Sequence, residues 1–272
     1  MSTSHLSLVP NTGAPFETAL AKGQLKLPLL PRVAAMVIQL ATDENANAQQ
    51  LAQLIQGDPA LAGHVMRLAN SPAYRPATPF VSLQQAIARL GMNSISEIAL
   101  ATSLNASLFK VPGYEALLQR YWRQSLLVSA WSREIARLRT TNVEASFIAG
   151  LLCFIGRPVV LQGVCQLGLT PDAIEDFVEN YYVRAGLSLV ASWSLPAVVG
   201  VAIEHHQESA YSAEYADEVL NVKAASQLVE AEQDLTQWSA ELLGELNFYP
   251  QDLEKLEAKV PVIDTWIDAV CS

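Results

Sequence analysis

From Pro28 onward the apolar residues of this chain return at helical spacing, and almost every run is closed by a capping residue, a glycine or a proline. After Pro31, residues Val33, Met36, Val37, Leu40 and Ala41 fall at i, i+3, i+4, i+7 and i+8, one stripe of a helix. Asn47 and Gln50 have the spacing of a reciprocal capping box ahead of Leu51, Leu54 and Ile55, and Gly57 suits the stop. Asp58-Pro59 restarts the chain as cap and first helical residue, with Leu61, Val65, Leu68 and Ala69 inward. Asn70-Ser71-Pro72 ends that helix, and Pro76 and Pro79 hold the next loop extended. Ser82 to Gln85 forms a second capping box before Ile87 and Leu90, closed by Gly91; another helix is expected from Asn93 to Phe109.

Val111-Pro112-Gly113 is the best boundary between modules. Beyond it a long helix is expected from Tyr114 to Arg139, with Leu118, Tyr121, Trp122, Ser125 and Ser129 inward. Asn142 caps the next, which carries Phe147, Ile148, Leu151, Leu152 and Ile155 and ends at Gly156. Thr170-Pro171 opens another, with Ile174, Phe177, Val178 and Tyr181 at helical spacing. Further helices are expected over Gly186 to Trp193, Pro196 to His206, Ala216 to Glu232 and Trp238 to Leu246, with a terminal pair after Pro250. No stretch alternates with period two between hairpin turns, so the fold class is all-α. The expected division is a loose N-terminal arm over 1–25, a short-helix bundle over 26–111 and a second helical module over 112–272.

Of the 272 residues 51% are hydrophobic and 16% charged, which marks a globular protein rather than a disordered acidic one. The net charge of −10 argues against bulk nucleic acid or an anionic membrane as partner. Arginines do gather at Arg120, Arg123, Arg133, Arg137 and Arg139, where a solvated helix face is the plain reading. Cys153, Cys165 and Cys271 form neither a disulfide framework nor a CxxC site, which fits a reducing compartment. The N-terminus lacks a secretory pattern, and apolar runs such as Ala197 to Ile203 are too short to span a bilayer; a cytoplasmic location is expected.

Leu27-Pro28-Leu29-Leu30-Pro31, Asp58-Pro59-Ala60-Leu61, Arg67-Leu68-Ala69-Asn70-Ser71 with Tyr74, and Ser82 with Ala86-Ile87 and Leu90-Gly91 stand in an order and at spacings that resemble the HDOD (HD-related output) domain. The resemblance covers Lys26 to His206 and implies a bacterial signal-transduction protein. The motif residues also have structural roles of their own. Asp58 and Pro59 cap and start a helix, Asn70 and Ser71 satisfy its last carbonyls or the loop backbone, and Tyr74 packs its ring while its hydroxyl stays wet.

The segment Ala149 to Arg157 resembles the signature helix of the HD metal-phosphohydrolase superfamily. Those enzymes hold their metal with a His on one long helix, a His-Asp pair on the next and a later Asp. Here Gln124 stands at the first position and Cys153-Phe154 at the pair. A neutral amide is a poor ligand for a transition metal, a lone sulfur is not a site, and a phenyl ring has no lone pair. Arg184 lies where many relatives carry a His before the Gly.

His205-His206 resembles the family's His-rich helix end. Neighbouring helical residues point about 100° apart, so one His is expected near the old pocket and one at the surface; His205 is assigned to the pocket with Gln124, Cys153, Phe154, Arg157 and Arg184. His64 reads as a half-buried histidine, and His5 lies in the arm. No nucleophile elbow, phosphate loop or dinucleotide fingerprint is present, and Cys153 has no adjacent base.

The expectation is therefore a non-catalytic regulatory module, with no metal or cofactor, acting on a signalling protein in trans. The alternative is a sensor that holds a nucleotide without hydrolysing it, using Arg123, Arg157 and Arg184 on the phosphates. A surviving metal-dependent phosphohydrolase is a third reading. The segment after Tyr211 carries Trp238, Phe248 and Trp266, which suggests packing rather than disorder.

Overall fold

The computed structural model describes residues 27–42, 46–74, 76–108, 111–165, 170–208 and 211–271, together with Phe16 and Thr18. Among the described residues there is no strand, and the fold is all-α.

The first module is built on α1 (Arg32–Thr42), α2 (Ala48–Gln56), α3 (Pro59–Ala69), α4 (Leu83–Leu90) and α5 (Met92–Leu108). Helix α5 is its hub: Ile95, Ile98, Ala99, Leu100, Ala101 and Leu104 are all buried, and α1, α3 and α4 pack on it. Asn47 and Gln50 close the reciprocal capping box of α2 at 3.0 and 2.9 Å. Asp58 accepts from the amides of Ala60 and Leu61 with Pro59 at the first turn, and Leu61, Val65, Leu68 and Ala69 of α3 are buried as the spacing requires. Ser82 caps α4, but Gln85 reaches back to the amide of Val81 rather than that of Ser82. In α1 the buried set is Ala34, Val37 and Ile38, whereas Met36 is exposed beside Gln39, Gln50 and Gln53 along the α1–α2 groove.

Asn70 ties the end of α3 to the loop that follows. Its amide nitrogen donates to the carbonyls of Met66 and Phe80, and its oxygen accepts from the amide of Phe80 at 2.7 Å. Ser71 contributes through its backbone, which donates to Leu68. The hydroxyl of Tyr74 is not wet: it accepts from the indole of Trp266 at 3.1 Å, and burial raises its pKa. His64 is exposed rather than half-buried and lies 3.1 Å from Arg67.

The second module is organised around α6 (Glu115–Arg139), whose inward residues include Leu118, Tyr121, Trp122, Ser125 and Ser129. Against it pack α7 (Val143–Leu152), α8 (Gly156–Val164) and α11 (Ala216–Glu230), while α9 (Pro171–Trp193) and α10 (Ala197–His205) close the far side of α7 and α8. Two boundaries differ from the spacing-based reading. Gly156 begins α8 instead of ending a helix, and α9 runs unbroken through Gly186. The cause is one helix–helix contact. A Cβ on Gly156 would stand 1.9 Å from the carbonyl oxygen of Tyr182 and 2.6 Å from the amide nitrogen of Gly186, so only glycine allows α8 and α9 to touch backbone to backbone.

The region after Tyr211 packs into the same body. Following a 3-10 turn at Leu235–Gln237 come α12 (Ala240–Leu246), α13 (Pro250–Glu257) and α14 (Val260–Cys271), with Trp238, Leu242, Leu246, Trp266 and Ile267 buried. Helix α14 bridges the modules by packing on both α5 and α6. The reading of a loose arm over 1–25 falls almost wholly outside the described residues, as does His5. Phe16 is an exception: it is buried, edge-on to Phe177 and Tyr181 at 5.3 and 5.4 Å. Val143–Val164 is long and apolar enough to cross a membrane by length and composition, which the reading of short apolar runs missed. It is broken between α7 and α8, and 89% of its most apolar window is buried inside the fold.

A buried ionic cluster joins the modules. Arg133 on α6 pairs with Glu97 on α5 and with Glu134, and Glu134 also takes Arg137 and Lys259. Burial works against the Arg133 charge, but Glu97 and Glu134 more than offset it, and its pKa is raised. Every member of the expected arginine patch has an acidic partner, since Arg120 meets Glu175, Arg123 meets Asp268 and Arg139 meets Asp217.

Two substitutions probe these contacts by urea denaturation. Gly156→Ala is expected to destabilise by about 3 kcal/mol, because backbone must separate to admit the methyl group. Glu97→Ala is expected to cost about 3–5 kcal/mol by leaving the Arg133 charge buried with its partner set broken; a loss within experimental error would refute this.

Candidate functional site: a closed centre at the helix crossing

Four of the sequence candidates, Gln124, Cys153, Phe154 and Arg157, come together at the crossing of α6, α8, α9 and α10. Gln124 comes from α6, Cys153 and Phe154 from the turn between α7 and α8, and Arg157 from the first turn of α8. Because Gly156 brings α8 onto α9, Arg157 is held inside the protein with 5% exposure. Its Nη1 donates to Gln124 Oε1 at 2.7 Å and its Nη2 to Glu179 Oε2 at 2.9 Å. The guanidinium carbon lies 4.0 Å from the centre of the Phe154 ring, 5.1 Å from that of Tyr182 and 5.4 Å from that of Tyr121. Aromatic faces attract a cation, by about 2 kcal/mol or more when water is excluded.

The remaining polar groups are drawn into the same packing. Cys153 is fully buried, its thiol directed at the carbonyl of Ala202 at 3.8 Å, and burial raises its pKa so that the thiolate is disfavoured. His206, not His205, is the interior histidine. Its Nδ1 sits 3.0 Å from the Ala202 carbonyl and its Nε2 3.3 Å from the Tyr182 hydroxyl. Assigning the proton to Nδ1 lets it donate to the carbonyl while Nε2 accepts from Tyr182, which in turn accepts from Gln207 at 2.9 Å. Phe154 meets the His206 ring edge-on at 5.4 Å. Burial, and more weakly the Arg157 charge, lower the His206 pKa. Burial together with nearby Glu179 pushes the Tyr121 phenol up to about 12.

The other sequence candidates lie elsewhere. His205 is half-buried and turned away from this centre, stacked on Tyr211 at 4.4 Å and 2.8 Å from Glu208. The assignment of His205 to the pocket is corrected to His206, because the helical turn that buries Ala202 brings position 206, four residues on, to the same face. Arg184 is exposed on the outer face of α9, and Arg123 reaches away to Asp268 on α14. Arg123, Arg157 and Arg184 therefore do not line one cleft.

Sequence reasoning did not single out Tyr182 or His206 for the interior, nor half-exposed Glu179 as the carboxylate partner of Arg157. Glu179 and Tyr182 are three apart on α9 and follow the helical period; only the α8–α9 crossing assigns them to Arg157.

These residues do not fit a divalent metal. Gln124 has its oxygen occupied by a guanidinium, Cys153 is held as a thiol, Phe154 offers no donor, and a buried cation already stands among them. Among the described residues no three His, Cys, Asp or Glu side chains are grouped so as to hold a metal ion.

The buried His206 has a consequence for pH. With its pKa depressed in the fold, the unfolded chain binds more protons near and below the ordinary histidine pKa of about 6.5. Stability should thus be full above that value and fall as pH drops towards the folded pKa. Urea midpoints from pH 7.5 to 5.5 should decline less in His206→Phe than in wild type; parallel curves would refute the assignment.

The fold and sequence have clear relatives. Solved structures with this fold include a candidate metal-dependent phosphohydrolase of Shewanella amazonensis, at 20% identity with TM-score 0.73, covering 94% of this chain and 97% of that one. An HDOD domain protein of unknown function from Geobacter sulfurreducens follows at 21% identity and TM-score 0.72, covering 94% and 99%. A candidate signal transduction protein of Marinobacter aquaeolei gives 22% and 0.73, covering 99% of this chain and 68% of that one. At such identities the likeness shows the fold. No curated protein matches the chain. The HDOD domain family matches residues 27–209, two thirds of the sequence, and the chain belongs to that family.

Proposed function

We propose that this protein is a non-catalytic bacterial signal-transduction module that acts by binding a protein partner in trans. The observation that carries this reading is the centre of the fold. Where an HD phosphohydrolase needs an open metal, Arg157 is packed between Gln124, Glu179 and three aromatic rings. A hydrolase needs an ion and a water within reach of a substrate phosphate, whereas here a guanidinium occupies the Gln124 oxygen and pairs with the one nearby carboxylate, Glu179. Membership of the HDOD family and the likeness to a candidate signal transduction protein support a signalling role. What the fold offers a partner is its surface, for example the groove between α1 and α2 edged by Met36, Leu40 and Leu54. The nucleotide-sensing alternative finds no support in the spread of Arg123, Arg157 and Arg184.

Purified protein is expected to contain no stoichiometric Fe, Mn or Zn and to leave bis(p-nitrophenyl) phosphate intact. Affinity capture from the native cytoplasm with mass spectrometry should recover one stoichiometric protein. One metal per chain with phosphodiester hydrolysis would overturn the proposal, and a co-purifying nucleotide without a protein would favour the sensor.

A further inference from the structure

The arrangement around Arg157 goes beyond the loss of ligands. We propose that Arg157 is a built-in cation that takes over the structural work of a metal ion, cross-linking α6, α8 and α9 through its own charge and leaving the fold independent of metal. The inference deepens the reading of a non-catalytic module but concerns the interior alone, so it stands or falls apart from any partner.

Three features support it. First, the guanidinium links three helices as a multidentate ion would: Gln124 lies on α6, Arg157 on α8 and Glu179 on α9. Its planar fork satisfies two oxygens at once, a geometry an ammonium does not reproduce. Second, its surroundings suit a single positive charge. One carboxylate, one amide oxygen and the faces of Phe154, Tyr121 and Tyr182 converge on it, and aromatic faces attract cations without being anions. A divalent ion would find one carboxylate and an adjacent guanidinium repelling it. Third, desolvating a lone charge is costly, so a buried arginine persists only where its partners compensate. Arg157 Nε is buried without a hydrogen-bond partner, so here the compensation comes from the two Nη bonds and the rings. The Phe154 that removes a metal donor supplies the nearest of those rings; the same substitution that unmakes the metal site helps make the arginine site.

The test uses thermal melting of the full chain for wild type, Arg157→Lys, Arg157→Met and Glu179→Gln, each with 1 mM MnCl2 or with EDTA. Wild type should melt identically in both. Arg157→Met should lose roughly 3–6 °C as the two charge-assisted hydrogen bonds and the cation–ring contacts are lost, and Arg157→Lys should lose less, because it keeps the charge while sacrificing the fork. A packing role alone would reverse that order, since methionine fills an apolar space better than an ammonium does. Glu179→Gln lies at the protein surface and folds even if Arg157→Met does not; it should lower Tm by several degrees. Manganese raising the wild-type Tm would overturn the proposal. So would an Arg157→Met protein at least as stable as Arg157→Lys, or an unchanged Tm for Glu179→Gln. Either of the last two, with no metal bound, would leave the non-catalytic reading intact.

Discussion

The contact between Gly156 and the backbone of Tyr182 and Gly186 sets the spacing on which the second module depends. Any larger residue at 156 would meet a carbonyl oxygen at 1.9 Å and drive α8 away from α9. With the helices touching, the Arg157 side chain is buried while its carboxylate partner Glu179 stays half exposed at the rim, so the charge must be met by groups around the crossing. Gln124, Glu179 and the rings of Phe154, Tyr121 and Tyr182 meet that need. His206, Cys153 and Ala202 then complete the packing on the α10 side. Backbone proximity comes first, and the chemistry of the centre follows from it.

A second buried charge holds the two modules together. Arg133 joins α5 to α6 through Glu97, and Glu134 extends the cluster to Arg137 and to Lys259 near the start of α14. Trp266 of α14 reaches the Tyr74 hydroxyl, while Asn70 fixes the other end of that loop to α3. The run Asn70 to Tyr74 thus acts as a strut between α3 and α14, and the C-terminal helices beyond the family match are part of the same core.

Much of this was legible in the residues. The caps at Asn47, Asp58, Asn142 and Thr170 form as their side chains allow, because a cap is decided by two or three neighbouring residues. The inward faces of α3 and α6 also follow the helical period. The period failed where neighbours chose the face: Met36 belongs to the apolar stripe of α1 yet lies exposed, and Tyr74 has a buried hydroxyl because an indole from the far end of the chain meets it. The continuity of α9 was hidden for a similar reason. Gly186 looks like a break in one dimension and is a close approach in three.

By itself the sequence determined that the protein is all-α, where most helices begin, that it resembles the HDOD family, and that Gln124, Cys153 and Phe154 offer little to a metal ion. Those are properties of residue type and local spacing. Only the tertiary structure decided that Arg157 is buried at those positions, that its partners are Glu179 and three rings, and that His206 rather than His205 faces inward. The reason is physical: which charge is removed from water, and which groups answer it, depends on how closely helices pack, and that distance is set by contacts between residues far apart in the chain.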